Sequence, residues 1–287
     1  TAATRFSGSQ GWVRPDGRLV GNDWASMVAK VYYPPVLNER GGLYPLGPVY
    51  TGSLDVGAGQ PATCLDWSSS NGAVTGALGN AGRQGAWKLV SFMGVDHRAC
   101  NLPWPIYCLG VDRNALAPVP AIPPGGRRVF ISSSTLLPTA FGANLQGADA
   151  LCQADAVAAG YPGSYRALLA APAVAPARRF ELDAGTWHRV DGVAILAAAS
   201  DLPTASTLLA PVLYLPDGGT LSAFLDQLVT GGGATPGEFG TRGATCDGWG
   251  SDAGTTAGSQ GLTVDSWFTS ALPVSCSAPS HVYCFQQ

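Results

Sequence analysis

The sequence is poor in charge, with only 12% of its 287 residues charged and a net charge of −3. Its longest basic runs are pairs, Arg127-Arg128 and Arg178-Arg179, so the dense positive surface by which proteins bind nucleic acid is lacking. A transmembrane helix needs about 20 apolar residues, whereas the best candidate, 193–199, has seven. The sequence therefore predicts no nucleic-acid partner and no membrane span.

Histidine is also scarce. The three histidines, His97, His188 and His281, are far apart, and no C-x-x-C occurs, whereas zinc sites are built from closely spaced ligand pairs. The seven cysteines therefore predict a disulfide framework and an extracellular, cell-surface or periplasmic location. The absence of an N-x-S/T sequon is compatible with a bacterial source.

Hydrolase motifs are lacking as well. The sequence contains no G-x-S-x-G, and no serine, histidine and acid follow a recognisable catalytic order. No signal peptide precedes Thr1, which we interpret as the start of a mature or trimmed chain. We expect no catalysis; the alternative hypothesis is a hydrolase with Thr1 as N-terminal nucleophile and its own amine as base.

Glycine and proline are abundant, at 38 and 22 residues, which predicts many turns and loops. Within this loop-rich sequence, two stretches, 12–108 and 187–284, carry the same motifs in the same order. Both contain W-x-R-x-D-G, then A-T-C-x-x-W-x-S, then two cysteines separated by seven residues. The matched positions are Trp12, Arg14, Asp16, Gly17, Cys64, Trp67, Cys100 and Cys108 with Trp187, Arg189, Asp191, Gly192, Cys246, Trp249, Cys276 and Cys284. The repeat predicts two related domains.

The copies differ in length at their start. The second has 50 residues, 128–177, before the Arg-Phe pair that precedes its tryptophan, whereas the first has only 1–4. We therefore predict a truncated first domain at 1–111, a Pro-rich linker at 112–127 and a complete second domain at 128–287. The four prolines in 115–126 stiffen the linker.

The extra segment of the second copy contains predicted secondary structure. The apolar run 129–131 predicts a strand, and the spacing of small residues predicts a helix over 147–159, ended by Gly160. Its apolar face comprises Ala148, Cys152, Ala156 and Ala159, and its water-facing residues Asp149, Gln153 and Asp155. A second short helix, with no counterpart in the first copy, is predicted over 222–228.

The cysteine counts of the copies differ by one. In the complete copy we pair Cys152 with Cys284, which leaves Cys246 with Cys276. By analogy Cys64 pairs with Cys100, and Cys108 is left without the helix cysteine that it would require. Cys108 is thus predicted to be unpaired or bonded to another chain.

Several side chains could bind a ligand. The tryptophans that recur in both copies (Trp12 with Trp187, Trp67 with Trp249, Trp87 with Trp267) are interpreted as core or loop anchors. Trp104 replaces Ser280 between two prolines and is a candidate for stacking on a sugar or a partner, with burial between the domains as the alternative. Asp16 and Asp191 are expected in turns; Asp247 and Asp252 are oxygen ligands that calcium could use, although a solvated loop is the simpler interpretation.

The second copy resembles the bacterial endostatin-like domain, a member of the C-type-lectin-like fold group. The likeness rests on residues 147–153 (GADALCQ), 163–169 (GSYRALL), 187–192 (WHRVDG), 246–249 (CDGW) and 282–285 (VYCF). It implies tandem α+β domains that are loop-rich, disulfide-stapled and mostly antiparallel, and that bind protein or glycan ligands. The sugar motifs of true C-type lectins are absent, but Asn22-Asp23-Trp24 is a scrambled form of one, which makes Trp24 a second candidate binding residue.

We therefore expect a secreted or cell-surface, non-catalytic binding or adhesion protein with an extracellular protein or glycan ligand. The alternative is a structural subunit of an extracellular assembly, in which a second polypeptide completes the first domain by supplying a strand, a helix and a cysteine. No cofactor is expected unless calcium binds.

Overall fold

The computed structural model divides the chain into two compact units, Thr1–Val119 (unit 1) and Pro120–Gln287 (unit 2). The division falls inside the predicted linker, 112–127. The structure describes residues 2–44, 47–52, 62–82, 90–91, 94–95, 97–221, 227–256, 258–259, 263–265, 267–268 and 273–287. Thr1, Trp87 and residues 222–226 of the predicted second helix lie outside these residues.

The described residues form both short strands and helices, with more strands than helices, so the predicted mixed α+β class is confirmed. The helices are α1 (Ala2–Arg5), α2 (Trp24–Ala29) and α3 (Gln146–Ala158), with 3₁₀ turns at Pro138–Phe141, Pro176–Arg179, Ala199–Thr204 and Arg242–Ala244. The strands are β1 (Trp12–Val13), β2 (Leu19–Gly21), β3 (Pro48–Tyr50), β4 (Thr75–Asn80), β5 (Val90–Ser91), β6 (Gly94–Val95), β7 (His97–Ala99), β8 (Arg127–Ile131), β9 (Tyr165–Ala167), β10 (Trp187–Arg189), β11 (Leu228–Val229), β12 (Thr255–Thr256), β13 (Gly258–Ser259), β14 (Val274–Ser275) and β15 (Tyr283–Gln286). None of the described helices is long and apolar enough to cross a membrane.

Unit 2 is built around a four-stranded sheet of order β10-β8-β15-β9. The central strand β15 pairs antiparallel with β8 on one side and with β9 on the other. The β8–β10 pair is parallel, unlike the antiparallel sheet that the family resemblance implies. The strand predicted over 129–131 is confirmed as part of β8.

Helix α3 covers one face of this sheet, and its prediction over 147–159 is confirmed to within one residue. Gly160 follows it with φ of 72°, the left-handed geometry that ends helices. Its polar residues, however, do not simply face water. Asp155 is buried and accepts hydrogen bonds from the backbone N–H groups of Ser133 and Ser134. The prediction that Asp155 faces water is wrong, because its carboxylate turns inward to accept hydrogen bonds from the adjoining loop.

Asp149 and Gln153 also bind neighbouring backbone. Asp149 accepts from the Ala167 N–H and pairs with Arg179, while Gln153 accepts from the Tyr165 N–H. Asp149, Gln153 and Asp155 thus attach α3 to adjacent loops or to β9, which amphipathic periodicity alone does not predict.

Three disulfides lie within the units, and they join the cysteine pairs expected from the two copies. Cys152–Cys284 joins α3 to β15, Cys246–Cys276 lies within unit 2 and Cys64–Cys100 within unit 1. Disulfides persist in oxidising compartments, so these three bonds indicate a location outside the reducing cytosol.

Unit 1 repeats the smaller sheets of unit 2. Its β3-β4-β7 sheet matches two ladders of unit 2, with β3–β4 corresponding to β11–β13 and β4–β7 to β12–β14. The registers agree, since Thr75 faces Ala99 where Thr255 faces Ser275. Leu228, the last residue of the predicted second helix, begins β11 instead. One hydrophobic cluster of unit 1, which we call the unit 1 core, comprises Trp12, Val20, Met27 and Val31.

Candidate functional site

The W-x-R-x-D-G motif forms an ion pair with a buried arginine in both units. Arg14 donates through Nε and Nη2 to Asp16, and through Nη1 to the Pro34 carbonyl. The arrangement is repeated by Arg189, Asp191 and Pro211. Burial by itself raises the pKa of Asp16, but hydrogen bonds and charge from Arg14, with further bonds from Arg18, outweigh it and hold the pKa well below its usual range. These carboxylates brace turns and are already paired with arginine.

The A-T-C-x-x-W motif forms a left-handed turn in both units. All four residues of Cys64–Trp67 and of Cys246–Trp249 have positive φ, between 48° and 72°. This geometry costs roughly 1–2 kcal/mol per non-glycine residue, and it is held by a disulfide at the first residue and by a threonine side chain that caps each turn, Thr63 or Thr245.

In each unit the tryptophan at the end of the left-handed turn packs with its ring against a glycine. A Cβ at Gly52 would lie 2.7 Å from the ring of Trp67, and one at Gly231 would lie 2.5 Å from the ring of Trp249. Both glycines also have positive φ, so two separate constraints require glycine there. The two tryptophans are therefore placed alike in their own units.

Their surroundings nevertheless differ. Trp249 is 1% exposed, its Nε1 donates to the Ala170 carbonyl at 2.9 Å, and its ring meets Phe141 edge-on at 5.2 Å. Trp67 is 54% exposed. Of the two predicted roles, core or loop anchor, Trp67 does not have the first, because Phe141 and Ala170 lie in the segment 127–171, which has no counterpart in the described part of unit 1.

The same contrast occurs at the closing strand. Val282 and Cys284 are fully buried, and Val282 exchanges hydrogen bonds with Ser132. Residues 107–110, the counterpart of β15, are assigned to no strand, and no described strand of unit 1 pairs with them. Ile106, the counterpart of Val282, is 65% exposed, and Cys108 is an exposed free thiol.

Both differences have the same cause. The segment 127–171 contributes to a hydrophobic core in unit 2, and the described part of unit 1 has no counterpart of that segment. A cluster of 17 buried residues fills the space between α3 and the sheet of unit 2, and ten of them come from 127–171. The other seven have counterparts in unit 1: Tyr50, Cys64, Trp67, Arg98, Cys100, Ile106 and Cys108. We call Trp67, Ile106 and Cys108 the open face.

Tyr50 lies between the members of the open face. Its ring lies 5.8 Å from that of Trp67, and its backbone N–H donates to the carbonyl of Pro105, which precedes Ile106. The sequence analysis identified Cys108 but missed Trp67 and Ile106. The absence of their covering segment was the available signal, but which residues that segment covers becomes known only from the contacts of unit 2.

The two predicted ligand-binding tryptophans lie elsewhere in unit 1. Trp104 is half-buried, and its buried Nε1 has no hydrogen-bond acceptor among the described residues. Trp24 begins α2 and packs on Phe6 with ring centres 5.2 Å apart. The neighbours of Trp24 have structural roles, since Asp23 caps α2 and Asn22 bonds twice to Ala117.

The calcium hypothesis gains no support from the described geometry. Asp247 pairs with Arg242 at 2.6 Å on the surface. Within the described ranges, no three His, Cys, Asp or Glu side chains are grouped so as to hold a metal ion.

Models of known protein families give no match to this sequence, and neither do the curated proteins. The comparison of the two units with each other is therefore the basis for interpreting function.

Proposed function

We propose that this protein is a secreted, cell-surface or periplasmic binding and assembly protein without catalytic activity, and that a polypeptide partner docks on the open face of unit 1. One observation carries the proposal. Two side chains that 127–171 buries in unit 2, Trp249 and Val282, have counterparts in unit 1 that are more than half exposed, at 54% for Trp67 and 65% for Ile106. The partner occupies in unit 1 the place that 127–171 occupies in unit 2.

The physical chemistry of the face supports a protein partner. Connected apolar surface tends to mark interaction sites, and burying an isoleucine side chain contributes about 1.5–3 kcal/mol. An extended segment without neighbouring strands also offers backbone groups with which a partner strand can pair. A glycan would use neither the backbone edge at 107–110 nor the thiol of Cys108. The open face therefore favours a polypeptide over a sugar ligand.

The other hypotheses have less support. The resemblance to endostatin-like domains is compatible with binding in general and does not select the ligand. A hydrolase would depend on Thr1, which lies outside the described residues, and nothing in the described geometry favours it.

Hydroxyl-radical footprinting tests the proposal. We expect Trp67 and Ile106 to be oxidised strongly in the recombinant chain alone and only weakly in protein isolated from its natural source. Phe239 and Val157 of unit 2, which are 48% and 65% exposed, serve as controls and should be labelled equally in both preparations. Equal labelling of Trp67 and Ile106 in the two preparations would show that no partner covers the face.

A further inference from the structure

We infer that the partner of unit 1 is a strand–helix–strand polypeptide whose helix carries a cysteine, and that this cysteine forms a disulfide with Cys108. The inference rests on the proposed function and deepens it, because it specifies the fold of the partner and the covalent bond. The arrangement of 127–171 in unit 2 is the template.

The template supplies two strands that flank a central one. β15 lies between β8 and β9, with Cys284 facing Phe130 on one side and Ala167 on the other. Both pairs are antiparallel. The corresponding segment of unit 1, 107–110, is assigned to no strand, and we expect it to receive one antiparallel partner strand along each edge.

The template also supplies a helix held by a disulfide. Helix α3 connects β8 to β9 and packs over β9 and β15. Its Cys152 is bonded to Cys284, and both cysteines are fully buried. The residue that corresponds to Cys108 is thus already disulfide-bonded to a helix cysteine within the same chain, so the inference does not depend on an exposed cysteine alone.

Unit 1 presents Cys108 in a suitable orientation. Tyr107 and Leu109 pack against the unit 1 core, whereas Cys108 between them is exposed. Since side chains alternate along an extended segment, the thiol lies on the outer side, together with Ile106. In unit 2 the same alternation directs Val282 and Cys284 toward α3.

Trp104 marks the path of the partner beyond the strand. Its counterpart Ser280 is fully buried and forms a β-bridge with Leu136 of the covering segment. A partner chain that follows the template therefore passes next to Trp104.

A second copy of this chain does not match the template. Its own strand–helix–strand segment is committed to unit 2 through the Cys152–Cys284 bond. A Cys108–Cys108 bond between two copies would pair two open faces, and neither would contribute the helix. We therefore assign the partner to a polypeptide segment that is not part of this sequence.

The bond forms by thiol–disulfide exchange. The Cys108 thiol loses its proton, and the thiolate attacks a mixed disulfide between the partner cysteine and a small thiol. The Cys108–partner S–S bond forms as the mixed disulfide breaks, and the small thiol leaves with the electron pair and takes up a proton. The small-molecule disulfide that made the mixed disulfide is the oxidant, and oxidising compartments supply such disulfides.

Peptide mapping of the natural protein under non-reducing conditions, with free thiols first blocked by alkylation, tests the inference. We expect Cys108 to be linked to a peptide absent from this sequence, with a cysteine in a helical stretch between two strand-forming segments. A Cys108→Ser variant expressed in the natural source should lose the linked species on a non-reducing gel. Because Cys108 is exposed, the serine should not disturb folding, and circular dichroism would check this.

A free, small-thiol-capped or self-linked Cys108 would overturn the inference, as would a link to a peptide without the helix. These outcomes are distinguishable from failure of the proposed function. If Trp67 and Ile106 are protected in the natural protein while Cys108 stays free, a partner binds but not through this bond. If neither protection nor linkage occurs, both proposals fail.

Discussion

Units 1 and 2 share an ion pair between a buried arginine and an aspartate, a left-handed turn and a short-range disulfide, yet among the described residues only unit 2 has a second core under a helix. The shared features depend on contacts within each repeat. The second core depends on 127–171, so the same motif residue is buried in one unit and exposed in the other. Burial of Trp249 or Cys284 is thus supplied by a distant segment and not by the motif that contains it.

The largest difference between the units should come from the long-range disulfide. We expect simultaneous Cys152→Ala and Cys284→Ala substitution to lower the free energy of unfolding of unit 2. The bond closes a loop with a sequence separation of 132, for which chain entropy gives about 5 kcal/mol. Cys108→Ala is the matched control and should leave the free energy of unfolding of unit 1 unchanged. Hydrogen exchange in denaturant, resolved by peptide, measures the free energy of unfolding of each unit separately. Equal losses of stability in the two variants would contradict the proposed difference between the units.

Replacing the matched tryptophans should produce a slightly smaller difference in stability between the units. Trp249→Ala removes a buried ring and a hydrogen bond, so it should cost unit 2 about 3–5 kcal/mol. Trp67→Ala in the recombinant chain removes a half-exposed ring and should cost unit 1 about 1 kcal/mol or less. Urea unfolding of both variants would measure the difference. A cost for Trp67→Ala similar to that for Trp249→Ala would show that the open face is already covered.

The smallest expected effect is a pH dependence confined to unit 2. Burial lowers the pKa of His188, although hydrogen bonds to the carbonyls of Thr186 and Arg127 oppose the shift. The unfolded chain therefore binds a proton more readily, so this contribution to stability is present above about pH 6.5 and is lost as the pH falls through the lower folded pKa.

Unit 1 has Val13 at the corresponding position, so this contribution should be missing there. Thermal unfolding between pH 7.5 and pH 5 would measure it, with His188→Gln as the control. If the variant keeps the full pH dependence of unit 2 in this window, the assignment to His188 is wrong.

Local patterns predicted much of this architecture. The strand at 129–131 and the helix near 147–159 follow from short-range periodicity, and the repeat alignment predicted the cysteine pairs. The left-handed turns could not be predicted, because the disulfide partners that hold them and the glycines on which Trp67 and Trp249 pack lie outside the motif. Nor could the buried role of Asp155, whose partners Ser133 and Ser134 are more than 20 residues away along the chain.

The same limit applies to the open face. Counting the cysteines identified Cys108, because pairing the other six leaves it without a partner, which the sequence alone shows. Trp67 and Ile106 look like ordinary core residues in sequence, since their motifs match those of buried counterparts. Their exposure depends on a covering segment that is distant along the chain, since Ala170 lies 79 residues from Trp249. Only the contacts of unit 2 show which side chains that segment covers.

Hydrogen–deuterium exchange at residues 107–110 tests the central claim most directly. In unit 2, β15 is hydrogen-bonded on both sides and should be protected in every preparation, which makes it the internal reference. We predict that amides of 107–110 exchange rapidly in the recombinant chain and become protected to a degree similar to β15 in the protein isolated from its natural source. Rapid exchange of 107–110 in both preparations would contradict the claim that a partner polypeptide completes unit 1.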